Sequence, residues 1–261
     1  MRFRHSPFRQ LRRSHAAAPG TPPGERIYAI GDIHGCFGLM LGLLARIKAD
    51  HLTRGQGKRG RIVILGDFVD RGPDSAAVMR KLHALQHSGA RITVLLGNHE
   101  HLLQLALAGD GAAQAGWLRS GGDRFLDSFG LAGSAGADPV DLAASIGQAM
   151  GDDLVDWLRS LPVSIRLGDY FFCHAGVEPG VAIADQDRET LLTIRRRFME
   201  SEADHGAVIV HGHNYVRNAQ IRPNRISIDT RGYQTGLLSA VGLDGTECWP
   251  LEFRAEEGPA I

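Results

Sequence analysis

Cysteine is scarce in this chain: Cys36, Cys173 and Cys248 are three in 261 residues, an odd number and widely spaced. No C-x-x-C spacing occurs, so a disulfide framework is not indicated and a reducing, cytoplasmic setting is expected. Long apolar runs are missing as well. No segment approaches the roughly 20 residues needed to cross a bilayer, which removes the membrane as a partner. Net charge is zero, 29 Lys and Arg against 29 Asp and Glu, so the basic field of a nucleic-acid binder is absent too. Internal repeats are lacking. What remains, 43% hydrophobic and 22% charged, is ordinary for one folded domain. The N-terminus departs from that average. Residues 1–24 carry Arg2, Arg4, Arg9, Arg12 and Arg13 and then an Ala/Pro/Gly-rich stretch, with too few large side chains for a core. A flexible basic arm is expected over 1–24 and the folded domain over 25–261.

Three short apolar, β-branched runs, 26–30, 61–65 and 91–96, read as strands buried on both faces of a sheet. Helical spacing of Leu39, Leu43, Leu44 and Ile47 follows the first. Pro73 and then Val78, Met79, Leu82 and Leu85 follow the second. This is a β-α-β-α-β unit with right-handed crossovers. From residue 101 to about 161 the pattern is helical but broken by glycines, which predicts a small helical insertion. Beyond it, 163–167 and 170–173 read as a hairpin turning at Gly168-Asp169, and 188–199 as one helix. The runs 207–210, 225–228, 236–241 and 247–251 read as strands, largely antiparallel because their connections are short. The predicted fold is α/β: a four-layer sandwich of two mixed sheets with helices outside.

A polar cluster closes each of the first three strands: Gly31-Asp32-Ile33-His34-Gly35, Gly66-Asp67-Phe68-Val69-Asp70-Arg71-Gly72 and Gly97-Asn98-His99-Glu100. Two more, Cys173-His174-Ala175-Gly176 and His211-Gly212-His213-Asn214, follow later runs. Ligands of open α/β sheets bind beyond the carboxyl ends of strands, so these clusters converge in one crevice. Asp32 and His34, two apart on an extended strand end, would share a face as ligands of one metal do. Asp67 can offer both carboxylate oxygens and so bridge two cations. Asn98 adds a neutral oxygen, and His174 and His213 add imidazoles. A mixed oxygen and nitrogen set suits manganese, iron or zinc better than magnesium or calcium alone, and the lack of thiolates argues against a structural zinc site. Each cluster alone is weak, since Gly-Asp after a strand is often only a turn. Five together at strand ends are not a coincidence of turns.

These motifs resemble the signature of calcineurin-like metallophosphoesterases, specifically the phosphoprotein phosphatase family, from about Arg26 to Leu251. The resemblance implies Asp32, His34 and Asp67 around a first divalent metal and Asp67, Asn98, His174 and His213 around a second, most readily manganese. His211 falls on a non-ligand position. It implies in-line attack by a metal-bridging hydroxide, with His99 as general acid oriented by Asp70. Arg71 and Arg195, with Asn98, would hold substrate phosphate. Where relatives often have Ile-Asp-Thr-Gly-Ala, this chain has Ile228-Asp229-Thr230-Arg231-Gly232. Arg231 then either adds charge at the substrate mouth or points to solvent.

The leading expectation is a phosphomonoesterase of the bacterial serine/threonine phosphatase type, acting on phosphorylated protein or small phosphoesters. The alternative is a dinucleoside polyphosphate (diadenosine tetraphosphate) hydrolase with the same metal core. Base-stacking aromatics would distinguish it, and few are visible. A non-catalytic scaffold is disfavoured, because no expected ligand, acid or orienting carboxylate is missing.

Overall fold

In a computed structural model the chain is described over residues 18–55 and 57–255. Strands β1 (Glu25–Ile30), β2 (Arg59–Ile64) and β3 (Ile92–Val94) lie parallel, as β-α-β units require, with α1 (Phe37–Arg54) and α2 (Ser75–His87) as their crossovers. Alternation sorts their side chains. Ile27, Ala29 and Val63 face the second sheet, whereas Tyr28, Ile30 and Ile64 face α1, α2 and the helical insertion. The second sheet has the order β4 (Ser164–Leu167), β5 (Tyr170–Cys173), β6 (Val208–His211), β8 (Arg225–Ser227), β7 (Gln220–Ile221). Its inner face sets Tyr170, Phe172, Val208, Val210 and Ile226 against the first sheet. Its outer face packs Phe171, Cys173 and Ile209 on Leu191, Ile194 and Phe198. Four layers result, as the sequence predicts. Among the described residues no helix is long and apolar enough to cross a membrane.

Several expectations need correction. Of the late strands, 237–244 and 247–254 pair antiparallel as expected, but 208–211 and 225–227 pair with each other in parallel. β6 pairs parallel with both β5 and β8, while β9 (Leu237–Asp244) and β10 (Glu247–Arg254) leave for the first sheet, where β9 lies antiparallel beside β1. Short connections suggested hairpins, but long-range pairing decided the direction. The short edge strand β7 was not foreseen. The helix expected over 188–199 is two, α8 (Arg188–Thr193) and α9 (Arg196–Met199), broken at Arg195 with φ −128° and ψ −104°. The cause lies in diverted carbonyls: Leu191 O accepts from Ala175 N at 2.8 Å and Ile194 O from Asn214 Nδ2 at 3.1 Å. These carbonyls serve the loops that follow His174 and His213.

The insertion comprises α3 (Asn98–Leu107), α4 (Gly111–Trp117), α5 (Asp123–Ser128), α6 (Pro139–Met150) and α7 (Asp152–Ser160). Its first helix begins at Asn98, so Asn98 and His99 sit on a first helical turn. Of the expected arm, residues 1–17 lie outside the described residues. The rest of that stretch is tied down: Thr21 N donates to Gly245 O at 3.0 Å and Gly20 N to Asp169 Oδ2 at 2.9 Å, which lashes it to a turn of each sheet.

Candidate active site

The carboxyl ends of β1, β2, β5 and β6 point to one edge of the sandwich, and the five polar clusters meet there. The backbone there is unusual. Among the described residues, the non-glycine residues with positive φ are His34, Asp67, Asp70, Arg71, His213 and Arg231, and every one belongs to this edge. Left-handed backbone in such residues persists only where surroundings impose it, and it gathers at functional sites. His34, at φ 44°, sits in a tight loop and not on an extended strand end as expected; it gathers with Asp67 and His99, whereas Asp32 lies against the backbone of His213 and is in neither group of mutually close ligand atoms.

The loop after β2 is held by a carboxylate that sequence reasoning passed over. Glu100 Oε2 accepts from the N–H groups of Asp67 (2.8 Å) and Gly97 (2.9 Å), and Oε1 from those of Phe68 (2.8 Å) and Val69 (3.1 Å). Glu100 stands at the third position of α3, where a capping carboxylate belongs. That position was its legible signal. The space is tight: a side chain at Gly97 would come within 2.3 Å of Asp67 N, and one at Gly212 within 2.1 Å of Asp32 Oδ1. Glycine at both positions lets the loops approach.

Around Asp67 the imidazoles are oriented by backbone carbonyls. His34 Nδ1 lies 2.9 Å from Val69 O and His174 Nδ1 2.9 Å from Leu65 O, which puts the Nδ1 protons on the carbonyls and turns both Nε2 atoms inward. Asp67 Oδ2 is then 3.6 Å from His34 Nε2, 3.4 Å from His174 Nε2 and 3.9 Å from His99 Nε2. His174 Nε2 further faces Asn98 Oδ1 at 3.0 Å and His213 Nδ1 at 3.2 Å. Asp32, also buried, accepts the His213 N–H on both carboxylate oxygens at 3.1 Å. Two groups thus have metal-ligating atoms in mutual reach: Asp67, His174 and His213, and His34, Asp67 and His99.

The electrostatics fit cations. Burial pushes His34 down to about 3 and His213 down to about 2, so both are neutral: the His34 Nε2 lone pair faces Arg71, and buried His213 Nε2 has no hydrogen-bond partner. For His174, burial lowers the pKa, but Asp67, aided by Asp32 and Glu100, outweighs it and raises it to about 10. Asp67 is correspondingly held well below the usual carboxylate range by His174, His99 and His34, against its own burial. A cluster of inward-facing acceptors that otherwise recruits a proton is one that divalent cations would satisfy.

His99 is placed differently. Its Nδ1 donates to Asp70 Oδ2 at 2.6 Å, and Trp117 Nε1 donates to the same oxygen at 2.9 Å. Burial lowers the His99 pKa, but Asp67 and Asp70 outweigh it and hold it above its ordinary value. Such an imidazole can carry a proton into the crevice. Trp117, delivered by the insertion, carried no local sequence signal. Arg71 reaches His34 Nε2 at 3.1 Å and donates to Tyr233 Oη at 3.0 Å. In the run Arg195-Arg196-Arg197, Arg196 pairs with Glu200 and Arg197 with Glu178, each at 2.8 Å, whereas the charge of Arg195 is felt at His213. His211 has both nitrogens engaged, Nδ1 with Gly212 O at 2.9 Å and Nε2 with Ser227 Oγ at 2.7 Å, and stands off the cluster. Cys36 and Cys173 keep protonated thiols, pushed up by burial to about 11 and about 12.

Residues 25–239 match the sequence model of the calcineurin-like phosphoesterase family. A symmetrical bis(5'-nucleosyl)-tetraphosphatase of Chromohalobacter salexigens is 36% identical over 88% of this chain and 72% of its own. One from Janthinobacterium is 34% identical over 58% of this chain but only 44% of its own, so this chain spans less than half of that relative. Among solved structures, a candidate diadenosine tetraphosphatase superposes over 92% of this chain and 100% of its own, with a TM-score of 0.58 and 22% identity. A protein serine/threonine phosphatase from Saccharomyces cerevisiae does so over 92% of this chain and 82% of its own, at a TM-score of 0.52 and 19% identity. These two likenesses establish the fold.

Proposed function

The chain belongs to the calcineurin-like phosphoesterase family, and on that premise we propose that it hydrolyses dinucleoside polyphosphates, splitting a phosphoanhydride between two nucleoside phosphates. The observation that carries this is the 36% identity with a symmetrical tetraphosphatase across 88% of the chain. The reading displaces the phosphoprotein phosphatase expected from the motifs. Those motifs describe the centre that handles the transferred phosphoryl group, which both activities share, whereas substrate choice lies in contacts to the leaving group. Of aromatics beside the centre, Tyr233 packs edge-on against His34 with ring centroids 5.1 Å apart.

In this reading Asp32, His34 and Asp67 hold one divalent cation and Asp67, Asn98, His174 and His213 the other. Manganese, iron or zinc matches the donor set. When bound, two such cations supply charge neutralisation and an acidified water. The chain's own groups do the rest. Arg71 grips non-bridging phosphate oxygens through its planar fork, and Arg195, whose charge is felt at His213, adds a second cation. His99, oriented by Asp70 that Trp117 pins, offers its Nε2 proton to the departing oxygen as a hydrogen bond, and full proton transfer is required only by a poorer, alkoxide leaving group. The three free cysteines accord with a reducing, cytoplasmic location.

The test is a substrate panel with the metal-loaded protein. Diadenosine tetraphosphate should give ADP as its sole nucleotide product, with kcat/KM well above that for phosphopeptides or an aryl phosphate. A phosphopeptide value tenfold higher than that for the dinucleotide would restore the phosphatase reading.

A further inference from the structure

Arg231 defies the backbone rule for its position. It sits at φ 51° and ψ 55°, the left-handed region that glycine occupies without steric cost. Its N–H donates to Asp229 Oδ1 at 2.8 Å, and its guanidinium lies over the ring of Tyr215, with Cζ 4.7 Å from the centroid. Tyr215 is itself 44% exposed. Both residues hang from the metal-binding cluster. Tyr215 stands two positions beyond His213, whose N–H binds Asp32, and Arg231 two positions beyond Asp229, whose carbonyl accepts from Val216 N at 2.9 Å and ties the loops together. Two residues of chain reach at most about 7 Å, so the stacked pair stands on the rim of the crevice. Tyr233, two positions further, contacts both His34 and Arg71. No step of the hydrolysis uses Tyr215 or Arg231.

We propose that Tyr215 and Arg231 form a ledge on which a nucleobase of the substrate stacks, making them the specificity determinants for a nucleotide on the leaving side. The proposal rests on the dinucleoside polyphosphate reading and names how that substrate is recognised. An aromatic ring and a guanidinium plane, already stacked, present flat faces of the two kinds on which nucleobases pack. The guanidinium charge also faces the polyanionic chain that joins the base to the centre. This accounts for a long cationic side chain at a position that favours glycine.

Calorimetric titration of the metal-loaded protein with ADP and with pyrophosphate tests the ledge, because the two share phosphate chemistry and differ in the nucleoside. The unmodified protein should prefer ADP by about tenfold or more, the scale of one base stacked on an aromatic. Tyr215→Ala and Arg231→Gly should each cut that preference by about fivefold or more while pyrophosphate affinity holds, and Tyr215→Phe should retain it. Glycine suits φ 51°, so Arg231→Gly should melt no lower than the parent, which separates lost recognition from lost folding. An ADP preference that is absent in the parent, or undiminished in both variants, overturns the ledge. Failure to cleave diadenosine tetraphosphate, with an ADP preference that the variants abolish, rejects the hydrolytic reading and keeps the ledge.

Discussion

Replacing Glu100 with glutamine exchanges one oxygen for an amide nitrogen at constant volume, yet it should loosen the floor of the centre. Each carboxylate oxygen accepts two backbone N–H groups, those of Asp67 and Gly97 on Oε2 and those of Phe68 and Val69 on Oε1. All four partners are donors. A glutamine oxygen can serve one pair, but its NH₂ then meets the other pair donor to donor. Two hydrogen bonds to a charged group are lost, at about 1.5–3 kcal/mol each, which gives roughly 3–6 kcal/mol. Burial and the nearby Asp67 charge raise the Glu100 carboxyl to about 7, a cost that glutamine does not carry, so the net loss belongs near the lower end of that range. A domain stable by about 5–15 kcal/mol survives this and can be measured. Asp67 holds its φ of 47° inside the loop that Glu100 ties, so its carboxylate should shift and metal affinity should fall. Guanidinium unfolding followed by tryptophan fluorescence gives the stability, and mass spectrometry of the dialysed protein gives the metal content. A destabilisation under about 1 kcal/mol with metal content at the parent level would refute the reasoning.

Other outcomes follow from the same geometry. Asp67→Asn removes the charge that holds His174 near pKa 10 and should strip bound divalent metal; parental metal content with near-normal turnover would show that Asp67 is not shared between cations. His99→Asn should keep its metals and lose about 10²–10⁴ in turnover of phosphoserine peptides, the usual loss for a positioned acid. On diadenosine tetraphosphate the loss should be far smaller, because a departing phosphate with a pKa of about 6 leaves without protonation. Equal losses on the two substrates would sink the acid assignment. His213→Ala should remove metal, whereas His211→Ala, whose ring is tied to Gly212 and Ser227, should retain it; elemental analysis of both variants decides the register.

The gathering of donor groups at one edge was legible in the sequence because they are written in contiguous clusters. Gly31-Asp32-Ile33-His34 and its counterparts carry donor types and glycines side by side, and strand ends of an open sheet gather them wherever the strands themselves pair. Local patterning likewise sufficed for β1, α1, β2, α2 and the hairpin of β4 and β5, whose periodicities are short-range. What the sequence left open concerns partners far apart in the chain. The parallel pairing of β6 with β8, the return of β9 to β1, the break at Arg195, the reach of Trp117 to Asp70 and the stacking of Arg231 on Tyr215 have no local signature. They depend on which surfaces remain to be buried, and which backbone groups remain to be bonded, once the two sheets have met. For the same reason the motifs pointed to the phosphoesterase family but not to a substrate: the clusters are contiguous in sequence, while the rim around them is assembled from loops that only tertiary packing brings together.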